Sequence, residues 1–202
     1  MNTKERILDV SLSMFSISGY EAVSIRDICG AVGIKESSLY YHFKNKRDIL
    51  DSLMRKFEDH VSSLLHLLQS ASLPNRGDSS LDWIDIYFFD QYLFDPFCNR
   101  MMRLMLIEQF HNEQIREAYE RWLFFEPYQI QTSVFATLAK IGLMSEADAN
   151  RMGHDFFATT TMLTFKYLLN GDLSQERKEA FRKEAHAYME SLFMKLGGNG
   201  NV

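Results

Sequence analysis

Between Gly33 and Leu50 the chain reads GIKESSLYYHFKNKRDIL. Lys35, Ser37, Ser38, Tyr40, Tyr41, His42, Lys44 and Lys46 supply ammonium groups, hydroxyls and an imidazole within one short stretch. Such donors suit the acceptor oxygens of a phosphate backbone and the edges of bases. They are not spaced for bond-breaking chemistry. His154 beside Asp155, and His111 with Glu108 and Glu113, are the other clusters of titratable groups, and neither carries a signature such as HExxH. The chemistry is that of binding, and no enzyme is expected.

Leu39 and Phe43 are four residues apart, so on a helix they share a face and can anchor it from beneath. Ser37, Ser38, Tyr41 and Lys35 then point outward. Tyr40 and His42 sit near the end of that helix, within reach of a phosphate. Lys46 opens the next helix, where an ammonium and free backbone N–H groups both favour an anion. Upstream, Ser24 with Asp27 is a capping pair, and Val23 with Ile28 a hydrophobic staple. Ser24 and Arg26 at that helix start are placed to hold a second stretch of backbone. Gly19 and Gly33 are helix stops, and Asn45 with Asp48 caps a long helix from about residue 46 to 68. Lys35 is a poor cap for its own helix. Two short helices joined at a glycine, the second rich in polar groups, make a helix-turn-helix.

This arrangement resembles the TetR family of bacterial transcriptional regulators. The residues that carry the likeness are Phe15-x-x-x-Gly19-Tyr20, Ser24-x-Arg26-Asp27-Ile28 and Leu39-Tyr40-Tyr41-His42-Phe43-Lys44-Asn45-Lys46, with Leu50. The family often has Gly where this chain has Ser37, and a Ser or Thr cap in place of Lys35, so base preference does not carry over. The resemblance implies an N-terminal three-helix DNA-binding domain and a C-terminal helical domain for effector binding and dimerisation. It implies a homodimer on a palindromic operator, in the cytoplasm and on the nucleoid when bound. It also implies a small apolar or amphipathic effector that releases the operator by changing subunit spacing.

The rest of the sequence agrees with an all-α chain of about nine helices. Prolines number three in 202 residues, and no alternating run reads as a strand. Net charge is −5, yet residues 35–47 hold Lys35, Lys44, Lys46 and Arg47 against Glu36 alone. A local basic patch on an acidic protein fits a defined contact surface. Cys29 and Cys98 lack a CxxC partner, so neither a structural metal nor a cofactor is expected, and no segment is long and apolar enough for a membrane span. The expected organisation is 1–46 for DNA binding, 47–72 as a connecting helix, 73–196 as the ligand and dimer domain, and a disordered tail at 197–202. The loop 73–80 marks the main break, and Pro127 is expected to kink or split a helix over 112–141.

Residues 81–135 hold 14 of the 27 aromatic residues. Two readings stand side by side: a well-filled core, or an apolar ligand cavity lined by adaptable Met and amphipathic Tyr and Trp. For the second, the lining set is Trp83, Tyr87, Met102, Arg103, Met105, His111, Trp122, Tyr128, Phe156 and Thr160. A protein partner in place of a small effector is the alternative. Phe181, Ala185, Tyr188 and Leu192 form an apolar stripe on the last helix, expected to join two subunits in a four-helix bundle.

Overall fold

The computed structural model describes residues 2–70 and 84–197. All regular structure among them is helical. Two compact units divide the chain after Glu117.

The first unit begins with α1 (Thr3–Ser18), α2 (Ile25–Val32), α3 (Glu36–His42) and α4 (Lys46–Ser70). A π-helical segment, Ile84–Leu93, and α5 (Pro96–Glu108) follow. Asn2 starts α1 with a capping box, its Oδ1 accepting from the Glu5 N–H at 2.9 Å and its own N–H donating to Glu5 at 3.1 Å. Ser24 and Asp27 form the second box. Asn45 Oδ1 accepts the Asp48 N–H at 2.9 Å to start α4. Asp95 caps α5, with Pro96 in the first turn where its missing N–H costs nothing.

Helix α5 explains the methionine-rich stretch. Met101, Met102, Leu104 and Met105 are all buried, because α5 packs against α1, α4 and the π-helical segment. A helix covered on several sides has to be apolar most of the way round. It also holds α1 at two places. Arg100 donates to the Asp9 carboxylate at 2.7 Å and to the Ser13 hydroxyl at 2.5 Å. At the far end of α5, Glu108 Oε1 accepts the Tyr20 N–H at 2.7 Å, just beyond the end of α1.

Helix α6 (Glu113–Glu120) runs across the division between the units. The second unit holds a π-helical turn, Arg121–Phe125, then α7 (Glu126–Lys140), α8 (Glu146–Leu163), a second π-helical turn, Thr164–Leu168, and α9 (Gln175–Gly197). Pro127 is where the expected long helix changes. The turn before it widens, and the Glu126 N–H donates to the Arg121 carbonyl five residues back. Proline removes the next N–H from the ladder, so a wider turn there loses little. Gly153 lies against α7, where an added Cβ would come within 3.0 Å of the Thr132 Cα, so α7 and α8 pack closely.

The predicted loop at 73–80 and the tail beyond residue 197 lie outside the described residues, as does the start of the helix expected at 81–94. The described part of that helix is π-helical. The first compact unit takes in α4, the π-helical segment and α5 together with the helix-turn-helix.

The stripe assigned to a dimer interface is mostly covered within a single chain. Phe181, Ala185 and Leu192 are buried within a single chain, together with Met189, and α9 packs on α8 and the turn that follows it. Tyr188 alone of the four keeps partial exposure. The outward faces of these helices carry other residues: Ala158 and Met162 on α8, Ala187 and Met194 on α9.

Candidate nucleic-acid interface

Helix α3 is short, and burial on one side fixes its orientation. Leu39 is fully buried and Phe43 nearly so, with the Lys4 ammonium 5.7 Å from the centre of the Phe43 ring. Gly33 makes the turn from α2 to α3. Its φ of 77° is left-handed, and both its own N–H and that of Ile34 donate to the Cys29 carbonyl. The far end of α2 is tied to α1 by Arg6, which donates to the Val32 carbonyl at 2.8 Å. Lys35 occupies the cap position of α3 with no side-chain cap bond.

The opposite side of α3 is open. Lys35, Ser37, Ser38, Tyr40, Tyr41 and Lys44 are all exposed, Tyr41 by 84% and Tyr40 by 51%. The Tyr41 and His42 rings meet edge to face at 5.0 Å. Among the described residues no hydrogen bond or ion pair engages the side chains of Lys35, Ser37, Ser38, Tyr40 or Lys44. Arg26 is also exposed, with Nε 3.6 Å from the Glu36 carboxylate. An exposed pair of that kind is worth little and yields readily to a phosphate. The Ser24 hydroxyl is more committed, donating to Asp27 at 2.6 Å. That bond, then the Ser24 backbone N–H, holds the Asp27 carboxyl below its ordinary range. The carboxylate half of the box is therefore present at neutral pH and weakens as acid protonates Asp27, while Ser24 Oγ still accepts the Asp27 N–H.

Lys46 makes contacts within the chain. Its Nζ donates to the Tyr20 carbonyl at 2.9 Å and to the Val23 carbonyl at 3.0 Å. It also lies 4.2 Å from the centre of the Tyr20 ring. Its donors are spent on the loop between α1 and α2, whose partners lie 23 and 26 residues upstream. Lys46→Ala leaves both carbonyls without that charged donor. The expected loss is about 1–3 kcal/mol in urea-induced unfolding, with an unchanged denaturant slope.

The residues proposed for a ligand fall in both units. Met102 and Met105 are buried in α5, Arg103 is half-buried on the same helix, and His111 is exposed in the turn after it. Trp122 and Phe156 are buried in the second unit. There Tyr128 packs edge-on against Phe157 at 5.2 Å. The Thr160 hydroxyl lies 2.9 Å from the Phe156 carbonyl and 3.3 Å from the Gln131 side-chain oxygen. Trp83 and the Tyr87 side chain lie outside the described residues. Met102, Met105, Trp122, Phe156 and Thr160 are the buried members of the set.

Sequence reasoning missed Arg6, Arg100 and Glu108, which fasten the helix-turn-helix to its support. Their partners are far away in sequence, so no local spacing marks them.

Residues 7–53 match the family model described as "Bacterial regulatory proteins, tetR family". That N-terminal segment is similar to the TetR family's DNA-binding region. It is 24% identical over 198 residues to IcaR of Staphylococcus aureus, a negative regulator of the biofilm operon icaADBC, covering 95% of this chain and 99% of that one. KstR2 of Rhodococcus jostii, a transcriptional repressor, is 32% identical over 74 residues, which is 37% of this chain and 36% of that one. The fold is shared with a regulator from Saccharomonospora viridis solved with choline, at a TM-score of 0.63 and 22% identity over 93% of this chain and 95% of that one. It is shared also with the fatty acid degradation regulator FadR of Bacillus halodurans, at a TM-score of 0.62 and 16% identity over 100% of this chain and 98% of that one. These TetR-type relatives are regulators of transcription. No described helix is long and apolar enough to cross a membrane.

Proposed function

We propose that the chain is a homodimeric repressor that binds a palindromic operator on the nucleoid and leaves it when a small apolar or amphipathic effector binds. One observation carries the DNA-binding part of this reading. The exposed side of α3 offers six polar or cationic side chains, while Leu39 and Phe43 hold the other side. Lys35 and Lys44 serve phosphates, as does the Tyr40 hydroxyl. Ser37, Ser38 and Tyr41 face base edges, with Arg26 and His42 at the margin. Lys46 supports the loop behind them, and Ser24 helps only through its cap.

Two copies place two α3 helices one duplex turn apart, about 34–36 Å. The outward faces of α8 and α9, with Ala158, Met162, Ala187, Tyr188 and Met194, are the surface proposed to join the copies. Small residues there let helices approach, and the flexible Met side chains fill what remains. An effector shifts operator binding only by its different affinity for the two states of the dimer.

The test begins with unbiased selection of duplexes by the purified protein at low salt. Fluorescence anisotropy on the winning duplex then gives affinity against salt. Lys44→Ala should weaken binding to all sequences and lower the slope of log affinity against log salt by about 1 per subunit. Ser37→Ala should change the selected sequence and leave the slope alone. Absence of any preferred duplex from the selection would end the reading.

A further inference from the structure

We propose that His60, Asp95 and Cys98 form a site for a borderline-soft divalent cation of the zinc class, which clasps α4 to the start of α5. The three residues come from two helices and a loop, and their ligating atoms all lie within 4.8 Å of one another. Local chemistry accounts for two of them. Asp95 caps α5, accepting the Cys98 N–H at 2.8 Å. The Cys98 thiol, fully buried, shares a hydrogen bond with the same carboxylate. Nothing of that kind accounts for His60. Its Nε2 is sealed from solvent and has no hydrogen-bond partner among the described residues. A buried imidazole nitrogen without a partner is costly, and one ring nitrogen of this imidazole lies within 4.8 Å of a thiol and a carboxylate.

The donor set decides the class of ion. One sulfur, one imidazole nitrogen and one carboxylate oxygen suit zinc, or cobalt in its place, and are a poor match for magnesium or calcium, which take oxygen. Bond lengths of about 2.0–2.3 Å in a tetrahedron put donors roughly 3.4 Å apart, so the cluster closes by about an ångström and a half at most. Binding moves one proton. The thiol S–H bond breaks, its proton leaves to solvent, and sulfur takes the metal in its place. The imidazole gives a ring-nitrogen lone pair, the carboxylate an oxygen, and a water fills the fourth position. Thiolate and carboxylate together neutralise the ion's double charge, which offsets the unfavourable positive end of α5. The Phe97 ring stands edge-on to His60 at 6.4 Å and also neighbours Phe57 at 6.4 Å. The Phe97 ring, with the Lys56 ammonium 5.0 Å from its centre, thus lines one side of the imidazole.

The site does not depend on DNA recognition, and its test needs no DNA. Tag-free full-length protein, stripped with a chelator, is titrated with cobalt and followed by absorption. We expect one ion per subunit, a sulfur-to-cobalt charge-transfer band, d–d bands of tetrahedral intensity, and displacement by zinc. Cys98→Ser should abolish the charge-transfer band, and Cys29→Ser should keep it. His60→Gln should weaken cobalt binding by more than about 100-fold, beyond what outer-shell changes cost. It should also leave the melting temperature of the metal-free protein unlowered, since no bond is lost, which guards against misfolding in the Cys98 variant. No charge-transfer band in the unaltered protein would overturn the proposal. So would a band that survives Cys98→Ser, or cobalt affinity unmoved by His60→Gln.

Discussion

Gly19→Ala should destabilise the N-terminal unit by about 3–5 kcal/mol. Gly19 has φ 83° and ψ 161°, a region that only glycine enters freely, and forcing another residue there costs of order 1–3 kcal/mol. Space is lacking too. A Cβ at this position would lie 2.9 Å from Glu108 Oε1 and 3.4 Å from the Ile107 side chain. Glu108 cannot withdraw cheaply, because that oxygen accepts the Tyr20 N–H and the side chain is buried. Losing that bond leaves a backbone donor unmet, worth about a further 1–3 kcal/mol. Gly30→Ala is the matched control. Gly30 lies in α2, and an added Cβ would meet nothing within 4 Å. That change should stabilise by about 0.5–1 kcal/mol through helix propensity. Urea unfolding of the two variants checks the pair, and a Gly19→Ala protein as stable as the parent would show that the turn has slack.

Leu39→Ala should cost about 2–5 kcal/mol, the usual result of emptying a fully buried leucine site. Its functional effect should exceed that of any single DNA-facing substitution. Leu39 touches no DNA in this reading, yet it fixes which side of α3 faces out. When α3 is competent only part of the time, apparent affinity falls by that fraction. A tenfold or greater loss for every duplex is therefore expected, with circular dichroism still showing most of the helix. Unaltered affinity in a measurably destabilised variant would mean that α3 does not need its anchor to read DNA.

Local features were legible in the sequence. The Ser24–Asp27 and Asn45–Asp48 caps, the Gly33 turn and the Leu39–Phe43 face each depend on residues within five positions of one another, where helix geometry leaves few alternatives. Long-range pairings were not. Lys46 carries the charge and position of a phosphate contact, and only the folded loop shows where its donors go. His60 lies 35 residues before Asp95, so nothing in the spacing joined them. The α9 stripe shows a further limit. Periodicity tells which side of a helix leaves water, but not whether the cover comes from the same chain. Phe181 and Ala185 are covered by their own subunit, and the exposed Met162 and Met194 break the pattern that periodicity favours.

The two attachments between α5 and α1 bear on how a signal could reach the DNA. One fastening, Arg100 with Asp9 and Ser13, lies midway along α1, and the other, Glu108 with Tyr20, lies past its end. A beam pinned at one point can swivel, whereas one pinned at two must follow its support. Any tilt of α5 is thus felt by α1 at both points.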